Sequence, residues 1–149
     1  MKKILFVCHG NICRSPMAEF VMKDMVKKAK LEWKFEIASA ATSTEEIGNP
    51  VHWGTREKLA QANISCKGKT ARQMTKRDYA EWDYLVCMDN WNMRNMQRIC
   101  GGDRQHKLSL LLDYTDRPGS VADPWYTGNF DATWIDVVEG CTALMDEFG

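Results

Sequence analysis

The residues of this chain best suited to chemistry lie in one short segment, Cys8-His9-Gly10-Asn11-Ile12-Cys13-Arg14-Ser15-Pro16. Its first cysteine and its arginine are six positions apart, a spacing that lets one loop wrap a tetrahedral oxyanion. The thiol of Cys8 would approach the central atom from below, while the guanidinium fork of Arg14 grips two of its oxygens. The pattern predicts an oxyanion site with a nucleophile at its base.

The flanking elements would position this loop. Residues 4–7 form a short apolar run that is typical of a buried strand. Pro16 favours the first turn of a helix, for which Ser15 is the natural N-cap. A loop between a strand and a helix N-terminus gathers backbone N–H groups at the positive end of the helix dipole. Such a site binds anions and favours the thiolate form of Cys8.

Other kinds of loop fit the segment less well. It is not closed by Gly-Lys-Ser/Thr, as a Walker A loop is, and Gly10 stands alone where a dinucleotide fingerprint has several glycines. Cys8, His9 and Cys13 lack the spacing of a zinc site and a distant fourth ligand. A lone cysteine at a strand end is usually a small core residue. Arg14 directly before a predicted helix favours the anion site instead.

An ester cleaved in such a loop needs an acid to protonate its leaving group. The candidates after the last predicted strand are Asp113, Asp116 and Asp123. Asp113 and Asp116 have the character of ordinary turn formers. Asp123 is followed by Pro124, which stiffens its position, and by two aromatic residues that can wall a cleft. We therefore predict that Asp123 is the general acid, a role worth ~10²–10⁴ in rate.

Residues 7–16 closely resemble the signature of the low-molecular-weight protein tyrosine phosphatases. The resemblance continues in order through Ser39-Ala40-Ala41-Thr42, Ala71-Arg72-Gln73, Met88-Asp89 and Asp123-Pro124-Trp125-Tyr126, and so spans essentially the whole chain. It implies a cysteine-dependent phosphoric monoester hydrolase. Such an enzyme would act on phosphotyrosine and small aryl phosphates through a phosphocysteine intermediate, without a metal or a cofactor.

The resemblance also implies a role for each matching residue. The catalytic residues would be Cys8, Arg14, Ser15 and Asp123. Ser15 would donate a hydrogen bond to the sulfur of Cys8, and Ser39 would hold Asn11 and so shape the loop. The residues that bind phosphate or line the substrate cleft would be His9, Gly10, Asn11, Ile12, Cys13, Arg14, Trp125 and Tyr126.

Cys13 is a second thiol on the same loop. The resemblance implies that it could form a reversible disulfide with Cys8 under peroxide, which would shield the nucleophile from over-oxidation. From spacing alone, a packed cysteine is nearly as good an interpretation.

Two positions depart from the family pattern. Glu45 stands near the place where related phosphatases often have an aromatic residue that walls the cleft. Lys69 stands where they often have a histidine that supports the loop. The first departure predicts an acidic rim that disfavours acidic phosphopeptides.

The composition is that of an ordinary globular protein. The chain has 149 residues, of which 44% are hydrophobic, and a formal net charge of +0 at pH 7, so a basic nucleic-acid-binding face has little support. We predict neither a membrane span nor a signal peptide, because no apolar run is long enough. The six scattered cysteines favour a reducing cytosol, so we predict a cytoplasmic protein.

Strands and helices alternate along the chain, which predicts an α/β fold. The predicted strands are residues 4–7, 33–39, 83–88 and 107–112, and the predicted helices are residues 16–30, 52–63, 75–81, 90–100 and 131–148. This order favours a single phosphatase domain over residues 1–149, a three-layer sandwich with a four-stranded parallel sheet and helices on both faces. Ligands bind outside the carboxyl ends of such strands, where Cys8, Ser39 and Asp89 would meet.

Two other functions stay open at this point. A thiol-dependent arsenate reductase shares the architecture and the loop, but it needs further cysteines in a mobile segment, and Cys87 and Cys100 look poorly placed for that. A non-catalytic phosphate-binding or phosphocarrier module would not need an acid. The expected partners are phosphotyrosine proteins or small aryl phosphates, with phosphate and other oxyanions as product-like inhibitors, and neither nucleic acid nor membrane.

Overall fold

A four-stranded parallel sheet forms the centre of the computed structural model, which describes residues 1–149. Its strands are β1 (Lys2–Cys8), β2 (Phe35–Ala41), β3 (Tyr84–Cys87) and β4 (Leu108–Leu110), in the spatial order β2-β1-β3-β4. Alternate side chains of β1 enter two separate hydrophobic clusters: Ile4, Phe6 and Cys8 on one face, and Leu5 and Val7 on the other. Because both faces are buried, this strand is apolar throughout residues 4–8.

Helices cover both faces of the sheet. They are α1 (Arg14–Lys28), α2 (Trp53–Gln61), α3 (Lys76–Glu81), α4 (Asn90–Cys100), α5 (Pro124–Thr127) and α6 (Phe130–Phe148), with a 3-10 turn at Leu111–Tyr114. The larger cluster takes Met17 from α1, Leu59 from α2 and Val137 from α6, while α4 supplies Met96 to the other face. The predicted three-layer α/β fold is confirmed. None of the helices is long and apolar enough to cross a membrane.

The first helix begins earlier than predicted. Its N-cap is Cys13, which makes no side-chain capping bond, and Ser15 lies inside the first turn. The prediction that Ser15 caps the helix was therefore wrong. Its hydroxyl lies 3.0 Å from the sulfur of Cys8, and its backbone N–H also points at that sulfur. The N–H group of Ser15, which has no partner within the first turn of the helix, thus donates to the sulfur at the start of the loop.

Other boundaries also differ from the sequence-based expectation. Strand β2 begins at Phe35, because Trp33 is exposed in the preceding turn. Helix α4 spans the predicted residues 90–100, and its N-cap is Asp89, whose carboxylate accepts a hydrogen bond from the backbone of Asn92. The short helix α5 was not predicted, and its N-cap is Asp123.

Candidate active site

A cleft opens at the carboxyl ends of β1 and β3, where parallel sheets of this kind bind their ligands. Its volume is about 510 Å³ including the open mouth, and its lining consists of Cys8, His9, Gly10, Ile12, Cys13, Arg14, Glu45, Glu46, Asp123, Trp125 and Tyr126. We call residues 8–15 the floor loop and residues 123–127 the acid segment. These two stretches meet in one cleft although they are more than 100 residues apart in the chain.

The sulfur of Cys8 lies at the base of the cleft, in a residue that is 3% exposed. The hydroxyl of Ser15 is 3.0 Å from this sulfur, and the backbone N–H of Ser15 donates to it at 3.4 Å. Asn11 Nδ2 donates to the Ser15 hydroxyl oxygen at 2.8 Å, so the Ser15 proton is free to point at the sulfur. Two hydrogen-bond donors therefore point at this sulfur.

Asn11 fixes the shape of the floor loop. It is fully buried and has a φ of 59°, a left-handed conformation that asparagine tolerates better than most residues. Its Nδ2 donates to Ser39 Oγ at 2.9 Å, and its Oδ1 accepts from the backbone N–H of Arg72 at 3.2 Å. The structure thus brings Ser39 and Asn11 into the contact that the family resemblance implies.

A buried carboxylate that the sequence analysis did not identify supports this contact from behind. Glu19 is 4% exposed and accepts a hydrogen bond from Ser39 Oγ at 2.5 Å. Lys69 Nζ lies 3.6 Å from the same carboxylate and donates to the Ser39 carbonyl at 2.9 Å. Burial lowers the pKa of Lys69, against the opposing charge of Glu19. A signal was present in the sequence, since Glu19 follows Ser15 by one helical turn and so shares its face.

Arg14 is buried beneath the acid segment with 2% of its surface exposed. Its Nη1 donates to Asp89 at 2.6 Å and to the Val121 carbonyl at 2.9 Å, and its Nη2 faces Asp123 Oδ2 at 3.4 Å. Burial alone would lower the pKa of Arg14, but the neighbouring Cys8 and Asp89 outweigh it and raise that pKa above its ordinary value.

The contacts of Arg14 leave part of its guanidinium fork available. Asp89 and Val121 occupy both N–H groups of Nη1, and Asp123 occupies one of Nη2. The Nε–H has no protein partner, and Nη2 has only the 3.4 Å contact to Asp123. The Nε–Nη2 edge of a guanidinium can bind an oxyanion through two oxygens. Asp89 was predicted to lie at this edge of the sheet, but its bond to Arg14 was not predicted.

Asp123 combines two contacts in the acid segment. One carboxylate oxygen accepts from the backbone N–H of Trp125 at 3.1 Å, which caps α5, and the other faces Arg14 at 3.4 Å. Trp125 and Tyr126 extend this wall of the cleft, with 58% and 83% of their surface exposed. Asp113 instead accepts from the backbone of Leu110, as a turn former does.

The opposite wall of the cleft is acidic. Glu45 Oε2 lies 2.9 Å from His9 Nε2, so the wall is bonded directly to the floor loop. Glu46 packs over Gly10, where an added Cβ would lie 3.3 Å from the Glu46 side chain. The predicted acidic rim is therefore part of the cleft lining.

Comparison with known proteins identifies the chain. The sequence profile of the family described as low molecular weight phosphotyrosine protein phosphatase matches residues 3–149. The chain belongs to this family. It is 40% identical to YfkJ of Bacillus subtilis over 97% of this chain and 94% of the relative, and 38% identical to the Gallus gallus member over 99% and 96%.

Solved structures support the same assignment of this phosphatase. The crystal structure of YfkJ from Bacillus subtilis superposes with a TM-score of 0.96, covering 99% of this chain and 94% of that chain at 40% identity. SP-PTP from Streptococcus pyogenes gives a TM-score of 0.90 at 40% identity, covering 100% and 94%. The predicted family, its fold and its class, a phosphoric monoester hydrolase, are confirmed.

The second thiol of the phosphatase differs in character from the first. Cys13 is 4% exposed, and burial, together with the charge of nearby Cys8, raises the pKa of Cys13 to about 12. It therefore stays protonated at neutral pH. Both cysteines line the cleft, and both are free thiols in the structure.

Every residue predicted for the site, apart from three, lies in the lining of the cleft of the phosphatase. Two of the three lie in the layer behind: Ser39, as predicted, and Asn11, which was predicted to contact phosphate as well as to shape the loop. Asn11 is 1% exposed, so its side chain is used for support. Ser15 joins the same layer from the first turn of α1, with its hydroxyl on the sulfur.

Proposed function

We propose that this phosphatase hydrolyses phosphotyrosine and small aryl phosphate monoesters through a phosphocysteine intermediate, in one catalytic domain formed by residues 1–149. The observation that carries the proposal is the bond between the Ser15 hydroxyl and the Cys8 sulfur, at the base of a cleft that also holds Arg14 and Asp123. A nucleophile, an oxyanion-binding fork and an acid are thus held within reach of one small ligand.

In the first step, the free edge of Arg14 and the backbone N–H groups of the floor loop hold the phosphoryl oxygens. The Cys8 thiolate attacks phosphorus in line, so the S–P bond forms as the bond from phosphorus to the aryl oxygen breaks. Asp123 gives its proton to the departing oxygen, and a phenol leaves. Phosphocysteine and an Asp123 carboxylate remain.

In the second step, the Asp123 carboxylate takes a proton from a water molecule whose oxygen attacks phosphorus. The S–P bond breaks, and the sulfur departs as a thiolate that accepts hydrogen bonds from Ser15. Inorganic phosphate is released, and Asp123 is protonated again for the next turnover. Phosphate and other oxyanions fit the same floor loop and are therefore expected to inhibit competitively.

The walls favour an aromatic ester. Trp125 and Tyr126 present two ring faces beside the acid, and a phenyl ring can stack on them. The phosphoryl site lies at the buried base, so the longer side chain of phosphotyrosine reaches it more easily than phosphoserine does. All six cysteines are free thiols, which suits the predicted cytoplasmic location.

The alternatives find less support. A thiol relay for arsenate reduction would need exposed, ionisable cysteines, whereas Cys87 and Cys100 are buried and burial raises the pKa of Cys100 to about 11. A phosphate carrier would have no use for a carboxylic acid facing the anion site, and Asp123 occupies that place.

Cys13 remains our candidate for redox protection of the nucleophile. Peroxide would oxidise the Cys8 thiolate to a sulfenic acid, and the Cys13 thiol would then displace water to form a disulfide. Their position in one cleft supports this. Peroxide-inactivated enzyme should regain activity with a thiol reductant, and the Cys13→Ser variant should lose that recovery.

A phosphopeptide panel tests the main proposal. Matched peptides that carry phosphotyrosine or phosphoserine are compared by phosphate release, with p-nitrophenyl phosphate as the small aryl ester. We expect turnover of the aryl ester and a strong preference for phosphotyrosine. Failure to hydrolyse p-nitrophenyl phosphate, equal use of phosphoserine, or arsenate reduction in its place would contradict the proposal.

A further inference from the structure

His52 lies between the floor loop and the acid segment, and no role in the reaction has been assigned to it so far. We infer that His52 is a positioning residue: its ring holds Trp125 and thereby sets the Asp123 carboxyl for protonation of the leaving group. The inference rests on the proposed function, because it concerns the general acid of that same reaction.

The N-terminus of α2 is bonded directly to the floor loop. The backbone N–H of His52 donates to the Ile12 carbonyl at 2.8 Å, and the Thr55 hydroxyl donates to the Cys13 carbonyl at 3.0 Å. Both carbonyls belong to the loop that surrounds the nucleophile. The position of His52 is therefore fixed relative to the floor loop.

The ring of His52 contacts the acid segment and the start of α6. It stacks on Phe130 with ring centroids 5.2 Å apart and planes 14° apart. It also meets Trp125 edge to face, at 5.7 Å and 78°. Both are favoured geometries for aromatic pairs. Trp125 is 58% exposed, and the edge-to-face contact with His52 is the one aromatic pairing that its ring makes.

Phe130 provides a firm base for the His52 ring. It lies so close to α2 that a Cβ at Gly54 would come within 2.5 Å of the Phe130 ring. The ion pair between Lys58 and Asp131, at 2.6 Å, joins the same two helices. The histidine ring is therefore stacked on Phe130 of α6 and contacts Trp125 of the acid segment.

Trp125 transmits this constraint to the acid. Its backbone N–H donates to Asp123 Oδ1 at 3.1 Å, while the Oδ2 of the same carboxyl has only a 3.4 Å contact to Arg14. A shift of Trp125 would therefore rotate or withdraw the carboxyl. The chain of contacts runs from Ile12 through His52 and Trp125 to Asp123.

The capping and packing roles of His52 can be separated by substitution. Its Nδ1 accepts a hydrogen bond from the backbone of Gly54 at 3.1 Å and so caps α2. His52→Asn keeps a capping side chain and removes the ring. His52→Phe keeps the ring and removes the cap. If His52 only stabilised α2, activity would be lost in the variant that lacks the cap. The role inferred here predicts that activity is lost in the variant that lacks the ring.

The test compares kcat/KM for phenyl phosphate and p-nitrophenyl phosphate in the two variants. Phenol resembles the tyrosine hydroxyl, with a pKa of about 10, so its departure depends far more on Asp123 than that of nitrophenolate does. His52→Asn should lower kcat/KM about tenfold for phenyl phosphate and less than about threefold for p-nitrophenyl phosphate, a fraction of the full effect of a general acid. His52→Phe should stay within about twofold of the wild type on both, even if its melting temperature falls.

Two further variants make the result specific. Trp53→Leu is the matched control, because Trp53 also pairs with His52 and Phe130 but is exposed outside the cleft, and it should leave the ratio of the two substrates unchanged. In a Trp125→Leu background, His52→Asn should have no further effect on that ratio, since the two residues act in series.

The outcomes distinguish this inference from the proposed function. If the wild type hydrolyses both esters but His52→Asn slows them equally, or His52→Phe is as slow on phenyl phosphate as His52→Asn, the positioning role is wrong. If the wild type hydrolyses neither ester, the proposed function itself fails and takes the inference with it.

Discussion

The floor loop and the acid segment form two sides of one cleft, yet they are built in opposite ways. In the floor loop, Asn11, Arg14 and Ser15 are at most 2% exposed, and each has side-chain hydrogen-bond partners within the protein. The acid segment is a single turn of helix whose aromatic residues Trp125 and Tyr126 are mostly exposed.

This contrast separates two tasks. A phosphoryl group is the same in every substrate, so a floor whose supporting side chains are buried and hydrogen-bonded can bind it without adjustment. Leaving groups differ, and a wall held by few contacts can accept several of them. Changes in the floor should therefore affect both folding stability and activity, whereas changes in the walls should affect activity with little effect on stability.

The largest effect is expected at Cys8, the proposed nucleophile. Cys8→Ser removes the only group that can form phosphocysteine, because a serine hydroxyl is not ionised at neutral pH, and turnover of p-nitrophenyl phosphate should fall below detection. Cys141→Ser is the matched control, since Cys141 is an equally buried free thiol in α6, away from the cleft, and it should keep its activity. Substantial turnover by Cys8→Ser would end the covalent mechanism.

The acid segment should show a large loss of rate with unchanged stability. Asp123→Asn keeps an acceptor for the Trp125 N–H but cannot donate the proton, so kcat/KM for phenyl phosphate should fall by ~10²–10⁴. The melting temperature should stay close to that of the wild type. Asp116→Asn, on the exposed connection before α5, should leave the rate unchanged. A loss below about threefold in Asp123→Asn would remove this residue as the acid.

The floor should show a loss of stability. Asn11→Ala removes the partners of Ser15, Ser39 and the Arg72 N–H and puts alanine in a left-handed conformation, which should lower the unfolding free energy by about 2–4 kcal/mol. Asn63→Ala is the matched control, because exposed Asn63 has a φ of 60° and should lose only the backbone contribution of about 1 kcal/mol. Urea denaturation measures both, and equal losses would show that the Asn11 contacts contribute nothing.

The acidic wall should have a modest, salt-dependent effect. Glu45→Gln removes a charge at the mouth while keeping an acceptor for His9, so kcat/KM for a phosphotyrosine peptide with acidic neighbours should rise about twofold to fivefold. The gain should shrink as salt is added. Glu57→Gln, on the exposed side of α2, is the control. An equal change for a peptide with basic neighbours would argue against an electrostatic cause.

The smallest effect concerns pH. Burial and the charge of Arg56, opposed by Glu46, lower the pKa of His52, so its neutral form is favoured in the folded state. This stabilisation is fully present above the ordinary histidine pKa of about 6.5 and is lost as pH falls through the lower folded value. The unfolding free energy should therefore fall less between about pH 7 and about pH 5 in His52→Asn than in the wild type. Because the ring is partly exposed, the difference should be less than about 1 kcal/mol. A steeper pH dependence of the unfolding free energy in His52→Asn would contradict a lowered pKa of His52.

The features that could be predicted from the sequence are those encoded by residues that are neighbours in the chain. The strand ending at Cys8, the loop to Arg14 and the Asp-Pro start of the acid segment are encoded within short stretches, and all lie in the cleft. The sequence did not show the partners that hold them. Asp89 is 75 residues from Arg14, and His52 is 73 residues from Trp125.

Predictions from short sequence patterns also failed for side chains that bond to residues of the site. Ser15 matches a helix N-cap next to Pro16, but its hydroxyl bonds the sulfur and the helix begins at Arg14. Glu19 follows Ser15 by one helical turn and shares its face, but its buried bond to Ser39 was not predicted. Such contacts depend on how α1 packs against the sheet, which no short segment specifies.

The most direct test of the account is to trap the covalent intermediate. The phosphatase is mixed with p-nitrophenyl phosphate, quenched in acid within one turnover, digested and analysed by tandem mass spectrometry. The account predicts one phosphoryl group on Cys8, absent from the neighbouring Cys13 in the same peptide and absent from Cys8→Ser. A nitrophenol burst without any phosphorylated peptide, or a phosphoryl group on another residue, would contradict it.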